Sequence, residues 1–139
     1  MNLTKPQIFP LPCIRDLRGN LSVLQYPDSM PFKPMRAYWI YDVPSGVVRY
    51  GHAYYSQSEV IVALSGCFDV VTDGINGPQR FQLNRTYQAL FLPPLTWRVI
   101  ENFSTNSVAL VLSSSLYDEA DYIRDIDVYN EILRSHEIK

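Results

Sequence analysis

The chain has 139 residues, of which 47% are hydrophobic and 19% are charged, and its formal net charge is -2. This length predicts one domain, covering residues 1–139, with a core that needs no disulfide or metal cross-links. The slightly acidic balance argues against a general nucleic-acid binder, which presents a basic surface. No apolar run approaches the roughly 18 residues of a membrane span, which argues against a membrane protein.

The two cysteines, Cys13 and Cys67, form no C-x-x-C pair. They can join in a disulfide, but two buried thiols in a reducing cytosol are the favoured interpretation. Residues 1–12 contain one lysine and three prolines and lack the apolar core of a signal peptide. We therefore expect a cytoplasmic protein.

Short strands separated by turns are predicted along most of the chain, because branched and aromatic residues cluster between Gly, Pro and Asn. The predicted strands are residues 21–26, 36–43, 59–64, 67–72, 80–83, 88–92, 97–101 and 107–113. The run at 59–64 is almost entirely apolar, as in a strand that is buried on both faces. Strands this short and evenly spaced indicate an all-β sandwich or barrel.

A C-terminal α-helix is predicted after Tyr117, where the hydrophobic period changes to that of a helix. The apolar positions that indicate it are Ile123, Ile126, Tyr129, Ile132 and Leu133. Acidic residues from Asp118 to Asp121 mark its start and Arg134 lies near its end, as the helix dipole favours. Whether this helix covers an open end of the barrel or packs on a partner stays open.

Two stretches have the spacing of metal-site signatures. Residues 52–66 fit H-x-H, four residues, E, six residues, G, with His52 and Glu59 in place and Tyr54 where the second histidine belongs. Residues 93–102 fit P-x-G-x-x-H-x-x-x-N, with Arg98 where the histidine belongs. The spacing resembles that of the cupins and implies a cupin-type jelly-roll barrel or sandwich.

Metal chemistry is disfavoured by the number of ligands. Zinc and non-haem iron normally need two or three nitrogen or sulfur ligands, and His52 with Glu59 is too few. We predict no bound metal and no other cofactor, and a metal-dependent dioxygenase is disfavoured for the same reason.

His52 is suited to proton transfer because the unperturbed pKa of histidine is about 6.5. Alternate side chains of a strand share a face, so His52 and Tyr54 should point into one cavity, which Glu59 can reach from a neighbouring strand. Two roles stay open for Tyr54. It can relay or donate a proton or bind a sugar hydroxyl, or it can fill the space of a missing metal.

Arginines and aromatic residues lie in or beside strands expected to line the barrel. Arg36, Arg49 and Arg98 suit phosphate recognition, because a guanidinium donates two parallel hydrogen bonds. A base or sugar can stack on Tyr38, Trp39 or Trp97. Taken singly, each is better explained as a surface pair or a core aromatic. The combination of several arginines and aromatic residues with a single base is the informative part. No Gly-rich phosphate loop is present.

Motifs across nearly the whole chain resemble one family. They are Arg18-Gly19-x-Leu21, Pro31-Phe32-x-x-x-Arg36-x-Tyr38, Arg49-x-x-His52-Ala53, Ser65-Gly66-x-Phe68-x-Val70, Trp97, Asn102-Phe103-Ser104 and Tyr117-Asp118-Glu119-x-Asp121-Tyr122-Ile123-Arg124. Together they resemble the sugar 3,4-ketoisomerases, also labelled WxcM-like. The resemblance implies a metal-free jelly roll that forms a homodimer. It also implies a dTDP-4-keto-6-deoxyhexose substrate, whose carbonyl moves from C4 to C3 through an enediol in deoxysugar synthesis for surface polysaccharide.

The resemblance also assigns roles and shows departures. Members use a His-Ala-His pair for proton transfer, which implies that His52 and Tyr54 are the catalytic positions here. Glu59 stands where the family usually has glutamine, and Gln25 stands where it usually has glutamate after the first strand. Arg98 follows Trp97 at a position that varies in the family. The expected substrate-binding residues are Arg36, Tyr38, Arg49, Glu59, Trp97 and Arg98.

Two functions follow from these observations. The first is a 3,4-ketoisomerase in which His52 is the base and Tyr54 takes the second proton role. The alternative is a catalytically altered relative that binds a nucleotide sugar as a regulatory or partner subunit. The two differ at Tyr54, because a phenol with a pKa near 10 is a poor base at neutral pH.

Overall fold

The computed structural model describes residues 1–137, apart from the side chains of Tyr50 and Glu137. Residues 138 and 139 of the predicted domain lie outside this part. The strands are β1 (Gln7–Pro10), β2 (Cys13–Asp16), β3 (Gly19–Ser22), β4 (Arg36–Tyr41), β5 (Arg49–Tyr54), β6 (Glu59–Ser65), β7 (Phe68–Asp73), β8 (Gln79–Leu83), β9 (Gln88–Leu92), β10 (Trp97–Glu101), β11 (Val108–Ser113) and β12 (Tyr122–Ile123). Helix α1 is Ile126–Glu137, and a 3-10 turn spans Glu119–Asp121.

Two antiparallel sheets of five strands form the body of the molecule. Their orders are β1-β9-β6-β11-β4 and β12-β5-β10-β7-β8, and β2 and β3 form a separate hairpin. The core between the sheets joins Ile61, Leu90 and Val111 from the first to Val70 and Ile100 from the second. This architecture confirms the predicted all-β, cupin-type sandwich with a C-terminal helix.

Burial follows the sequence pattern in each strand. Residues of β10 and β11 are alternately buried and half-buried, as expected when one face meets the core. Strand β6 is buried on both faces from Glu59 to Ala63, as its apolar run indicates. Its outer face is covered by the N-terminal segment, because Phe9, Leu11 and Met30 pack on Val60 and Val62.

Most predicted strands are confirmed with shifts of a residue or two at their ends. The bounds of β9 and β10 agree fully. Strand β3 was predicted wrongly as 21–26, because it covers Gly19–Ser22 and pairs with β2 instead of entering either sheet. Strands β1, β2, β5 and β12 were not among the predicted strands. Strands β1 and β2 are four-residue segments next to prolines, and β12 has only two residues.

The predicted start of the C-terminal helix near Asp118 is wrong. Asp118 caps the 3-10 turn by accepting a hydrogen bond from the Ala120 amide. The chain then forms β12, and α1 begins only after Asp125, whose carboxylate accepts from the amides of Asp127 and Val128 as an N-cap. Acidic residues begin both the 3-10 turn and α1. The sequence pattern therefore predicted a single helix where the structure has a turn, a strand and a helix.

Helix α1 packs on the outer face of the second sheet, on the cluster of Ala53, Ile123 and Trp97. The Tyr129 hydroxyl secures it by donating toward the carbonyl oxygens of Leu95 at 2.8 Å and Asp73 at 3.1 Å. The helix therefore backs the sheet and does not fill the space between the two sheets. No helix within residues 1–137 has the length and apolar character that crossing a membrane requires.

Candidate active site

A cavity of about 770 Å³ lies between the two sheets, a volume that suits a small-molecule ligand. Its wall includes residues of β4, β5, β6, β10 and β11 together with residues 117–124. Seven of the predicted site residues, from both sheets, meet here, and Glu59 of β6 is among them although β5 and β6 belong to different sheets. These lining residues are Arg36, Tyr38, Arg49, His52, Tyr54, Glu59 and Arg98.

A buried ion pair forms the floor of this cavity. An Arg98 Nη1 atom donates to Glu59 Oε1 at 2.5 Å, and both side chains are 1% exposed. The other carboxylate oxygen, Oε2, accepts from the Tyr38 hydroxyl at 2.9 Å, Gln57 Nε2 at 3.0 Å and Ser113 Oγ at 2.9 Å. Both carboxylate oxygens of Glu59 therefore accept hydrogen bonds from other side chains of the protein.

The two residues at cupin ligand positions thus pair with each other. The guanidinium of Arg98 supplies a fixed positive charge to the carboxylate that a metal would otherwise bind. Among residues 1–137, no three His, Cys, Asp or Glu side chains come together in a way that can hold a metal ion. The Glu59 carboxylate is thus neutralised by the guanidinium of Arg98, and this arrangement does not fit a metal ion.

His52 lies in the cavity wall beside this ion pair. Strand β5 places it opposite Arg98 in the β5–β10 ladder, and Ala53, the next residue, turns outward beneath α1. The imidazole ring is half-buried and lies 5.1 Å from the ring of Tyr54 and 5.5 Å from that of Tyr122, centroid to centroid. The histidine thus lines the cavity with its Nε2 atom buried, and aromatic rings pack against it on two sides.

Tyr54 shares that inward face, as the strand period predicts, but it is fully covered. Its exposure is 0%, and the Arg98 guanidinium lies 5.0 Å from the centre of its ring. Burial raises the pKa of its phenol strongly, and the negative charge of Glu59 raises it further. The hydroxyl therefore stays protonated at neutral pH and does not act as a base there.

The accessible part of the cavity is lined by cations and aromatic rings. The Arg36 guanidinium lies 5.4 Å from the ring of Tyr38 and 5.5 Å from that of Tyr117. Arg124 lies 4.1 Å from the ring of Tyr122 and donates two hydrogen bonds to Glu119, at 2.6 and 2.9 Å. Arg49 is exposed on β5. Three arginines thus face one opening, an arrangement suited to a diphosphate.

Three of these lining residues, Tyr117, Tyr122 and Arg124, were not predicted as site residues. They arrive through β12, in which Tyr122 pairs with Tyr54 and Ile123 with Ala53. The Asp121 carboxylate fixes the approach by accepting from Ser56 and from the Gln57 amide. In the sequence these residues are visible only as part of a motif and not as neighbours of β5.

Two predicted stacking residues lie away from the cavity. Trp97 packs on Tyr129 of α1, with ring centroids 5.5 Å apart, because Arg98 takes the inward position and its neighbour must face outward. Gly51 makes room for it, since a Cβ atom there would lie 2.5 Å from the Trp97 indole nitrogen. Trp39 is 59% exposed on the outer face of β4.

A comparison with known protein families matches residues 4–134 to the family described as FdtA: WxcM-like, C-terminal. The chain belongs to this family. A curated relative, the TDP-4-oxo-6-deoxy-alpha-D-glucose-3,4-oxoisomerase of Aneurinibacillus thermoaerophilus, is 33% identical over 120 residues, which cover 86% of each chain. The match extends over the strands that build the cavity, so the resemblance seen in the motifs is confirmed.

Solved structures agree with this assignment. A mutant of the 3,4-ketoisomerase QdtA from Thermoanaerobacterium thermosaccharolyticum, in complex with TDP-4-keto-6-deoxyglucose, superposes with a TM-score of 0.93 at 27% identity, covering 99% of both chains. The TDP-quinovose 3,4-ketoisomerase WlaRB from Campylobacter jejuni gives 0.87 at 32% identity, covering 93% of this chain and 99% of that one. Nearly the whole chain is therefore built like these enzymes.

Proposed function

We propose that the protein is a sugar-nucleotide 3,4-ketoisomerase that moves the carbonyl of a dTDP-4-keto-6-deoxyhexose from C4 to C3. The observation that carries the proposal is the half-buried His52, which lines a cavity whose opening is surrounded by arginines. The relatives are TDP-sugar ketoisomerases by name, and one is complexed with a 4-keto sugar nucleotide. The reaction belongs to deoxysugar biosynthesis.

The chemistry requires a base beside C3 and donors that stabilise the developing enediolate. His52 is the base, because it is the group in the cavity wall whose ordinary pKa lies close to neutrality. The alternative, a relative that only binds the sugar nucleotide, is not favoured, because the histidine needed for proton abstraction is in place. The assignment of the second proton role to Tyr54 stays a prediction.

Binding of the nucleotide is assigned to the accessible cations and rings. Arg36 and Arg49 bind the diphosphate through bidentate hydrogen bonds, and Tyr38 borders the sugar. Glu59 and Arg98 are 1% exposed, so they act on the ligand mainly as the charged floor of the cavity. Trp97 contributes by supporting β5 from its outer side.

We also propose that the chain is one domain and forms a homodimer in the cytoplasm, serving surface polysaccharide synthesis. The β2–β3 hairpin supports the dimer, because it pairs with neither sheet and an isolated hairpin is marginally stable in water. It exposes three apolar side chains, Ile14, Leu17 and Leu21. A second copy is the surface that would cover them.

The proposed reaction is tested directly with dTDP-4-keto-6-deoxyglucose in heavy water. We expect a 3-keto product and deuterium in the sugar ring, because a base that removes the C3 proton exchanges it with solvent. Nuclear magnetic resonance of the product measures both. Protein that binds dTDP yet catalyses neither exchange nor isomerisation would replace the isomerase with the binding relative.

The nucleotide should be recognised through its diphosphate. We expect dTDP to bind about tenfold or more tightly than dTMP, because a hydrogen bond to a charged group contributes about 1.5–3 kcal/mol. Calorimetry with dTDP, UDP and dTMP measures this difference, and UDP tests the base. Equal or absent binding of all three would contradict a nucleotide-sugar ligand.

A further inference from the structure

The arginines of the cavity wall differ in whether a carboxylate neutralises them. Arg98 donates to Glu59 at 2.5 Å, and Arg124 is paired with a carboxylate five residues before it. Arg36 and Arg49 line the same cavity and form no salt bridge within the part of the chain that the structure describes. The positive charge that the wall offers to an anionic ligand is therefore concentrated on these last two residues.

Arg98 is the arginine beside the proposed base. It lies opposite His52 in the β5–β10 ladder, and its side chain is 1% exposed. Its Nε atom donates to the Thr96 carbonyl oxygen at 3.1 Å, whereas its buried Nη2 atom has no hydrogen-bond partner among the described residues. Without Glu59, an uncompensated charge and an unpaired donor would lie at the place where the sugar has to bind.

The diphosphate is the most highly charged part of a sugar nucleotide, so its position decides which part of the ligand lies beside His52. Ser113 Oγ lies 3.4 Å from Arg36 Nη2 and 2.9 Å from Glu59 Oε2, so a diphosphate bound to Arg36 lies near Arg98 as well. A buried charge attracts an anion more strongly than an exposed one, because solvent and salt screen the exposed charge. An Arg98 without its carboxylate would therefore compete for the diphosphate.

We propose that Glu59 is a specificity-determining residue, an inference that rests on the proposed isomerase function and deepens it. By neutralising Arg98, Glu59 leaves the diphosphate to Arg36 and Arg49, so that the uncharged sugar is the part that reaches the floor of the cavity. The carboxylate is held in place for this role, because its two oxygens together accept four hydrogen bonds. A diphosphate drawn to the floor would hold the 4-keto group away from His52.

Inorganic pyrophosphate tests this role without any turnover. We expect Glu59→Gln to bind pyrophosphate about tenfold or more tightly than the wild type, because Arg98 gains a charged partner. The double variant Glu59→Gln/Arg98→Met should return to the wild-type affinity. The matched control is Glu101→Gln, which removes a carboxylate from Arg80 outside the cavity wall and should leave the affinity unchanged. Calorimetry at constant ionic strength measures all four proteins.

A substitution of Arg36 locates the bound pyrophosphate. Arg36→Gln should weaken its binding about tenfold or more in the wild-type background, but less than about threefold beside Glu59→Gln, where Arg98 holds the ligand. Urea unfolding gives an independent measurement, because a ligand of the folded state raises the unfolding midpoint. Pyrophosphate should raise the midpoint of Glu59→Gln more than that of the wild type, and it should restore folding if this variant is unfolded in its absence.

The proposal is overturned if Glu59→Gln binds pyrophosphate within about threefold of the wild type, or if the double variant with Arg98→Met keeps the tighter binding. It is also overturned if Glu59→Gln is unfolded and pyrophosphate does not restore it. With the 4-keto sugar nucleotide, kcat and KM of Glu59→Gln should fall together, as for a substrate bound in an unproductive position. If the wild-type protein does not convert this substrate, the proposed function fails, while the pyrophosphate measurements still decide whether Glu59 keeps anions from the floor.

Discussion

Replacing His52 with asparagine should abolish deuterium exchange into the sugar ring and lower the isomerisation rate by about 10²–10⁴-fold. The amide keeps much of the packing between the rings of Tyr54 and Tyr122, but it cannot accept a proton near neutral pH. Exchange measured by nuclear magnetic resonance reports proton abstraction even when no product is released. It therefore isolates the step assigned to His52.

The matched control for this variant is His136→Asn, which changes the chain's other histidine. His136 is exposed on α1, outside the cavity wall, and its Nδ1 atom donates to the Ile132 carbonyl oxygen at 2.9 Å. It should leave exchange and isomerisation unchanged. If His52→Asn is as active as the wild type, the base has been assigned to the wrong residue, whatever the fold.

Replacing Glu59 with glutamine should lower the free energy of unfolding by about 3–5 kcal/mol, the usual cost of removing one partner from a buried ion pair. In the variant, the charged Arg98 stays 1% exposed and loses its carboxylate partner. A neutral amide also replaces the carboxylate that accepts from Tyr38, Gln57 and Ser113. Urea unfolding of the folded protein measures the change.

Two comparisons make this result specific. The exposed pair of Arg18 and Asp16 provides a control, because Asp16→Asn should leave the urea midpoint nearly unchanged. The double variant Glu59→Gln/Arg98→Met should recover much of the loss, since it removes the uncompensated charge. Wild-type stability in Glu59→Gln would mean that the ion pair contributes nothing to holding the floor of the cavity.

The fold was largely predictable because its strands carry a clear period and end at turn residues. Strand β6 reads as a buried run, and β9 and β10 have the predicted bounds. The segment from Asp118 was less predictable, because acidic residues serve as caps and as hydrogen-bond acceptors with equal ease. Asp121 binds the backbone of Ser56 and Gln57, a contact that no local pattern indicates.

The site was predictable where it depends on one strand and not where it depends on pairing between distant segments. His52 and Tyr54 share a face because both lie on β5, and the same period places Trp97 opposite to Arg98. Applying that period to β10 would have removed Trp97 from the expected ligand contacts. Tyr122 reaches the cavity only through its pairing with Tyr54, and a single sequence carries no signal for that pairing.

The alternation of Trp97 and Arg98 also protects the sandwich against misassembly. A one-residue slip of β10 against β7 would turn Trp97 between the sheets and place the arginine beneath the apolar side of α1. Arg98 would then lose Glu59, which belongs to the opposite sheet. We infer that the Arg98–Glu59 pair favours the correct register of β10, because the two charges meet between the sheets only in that register.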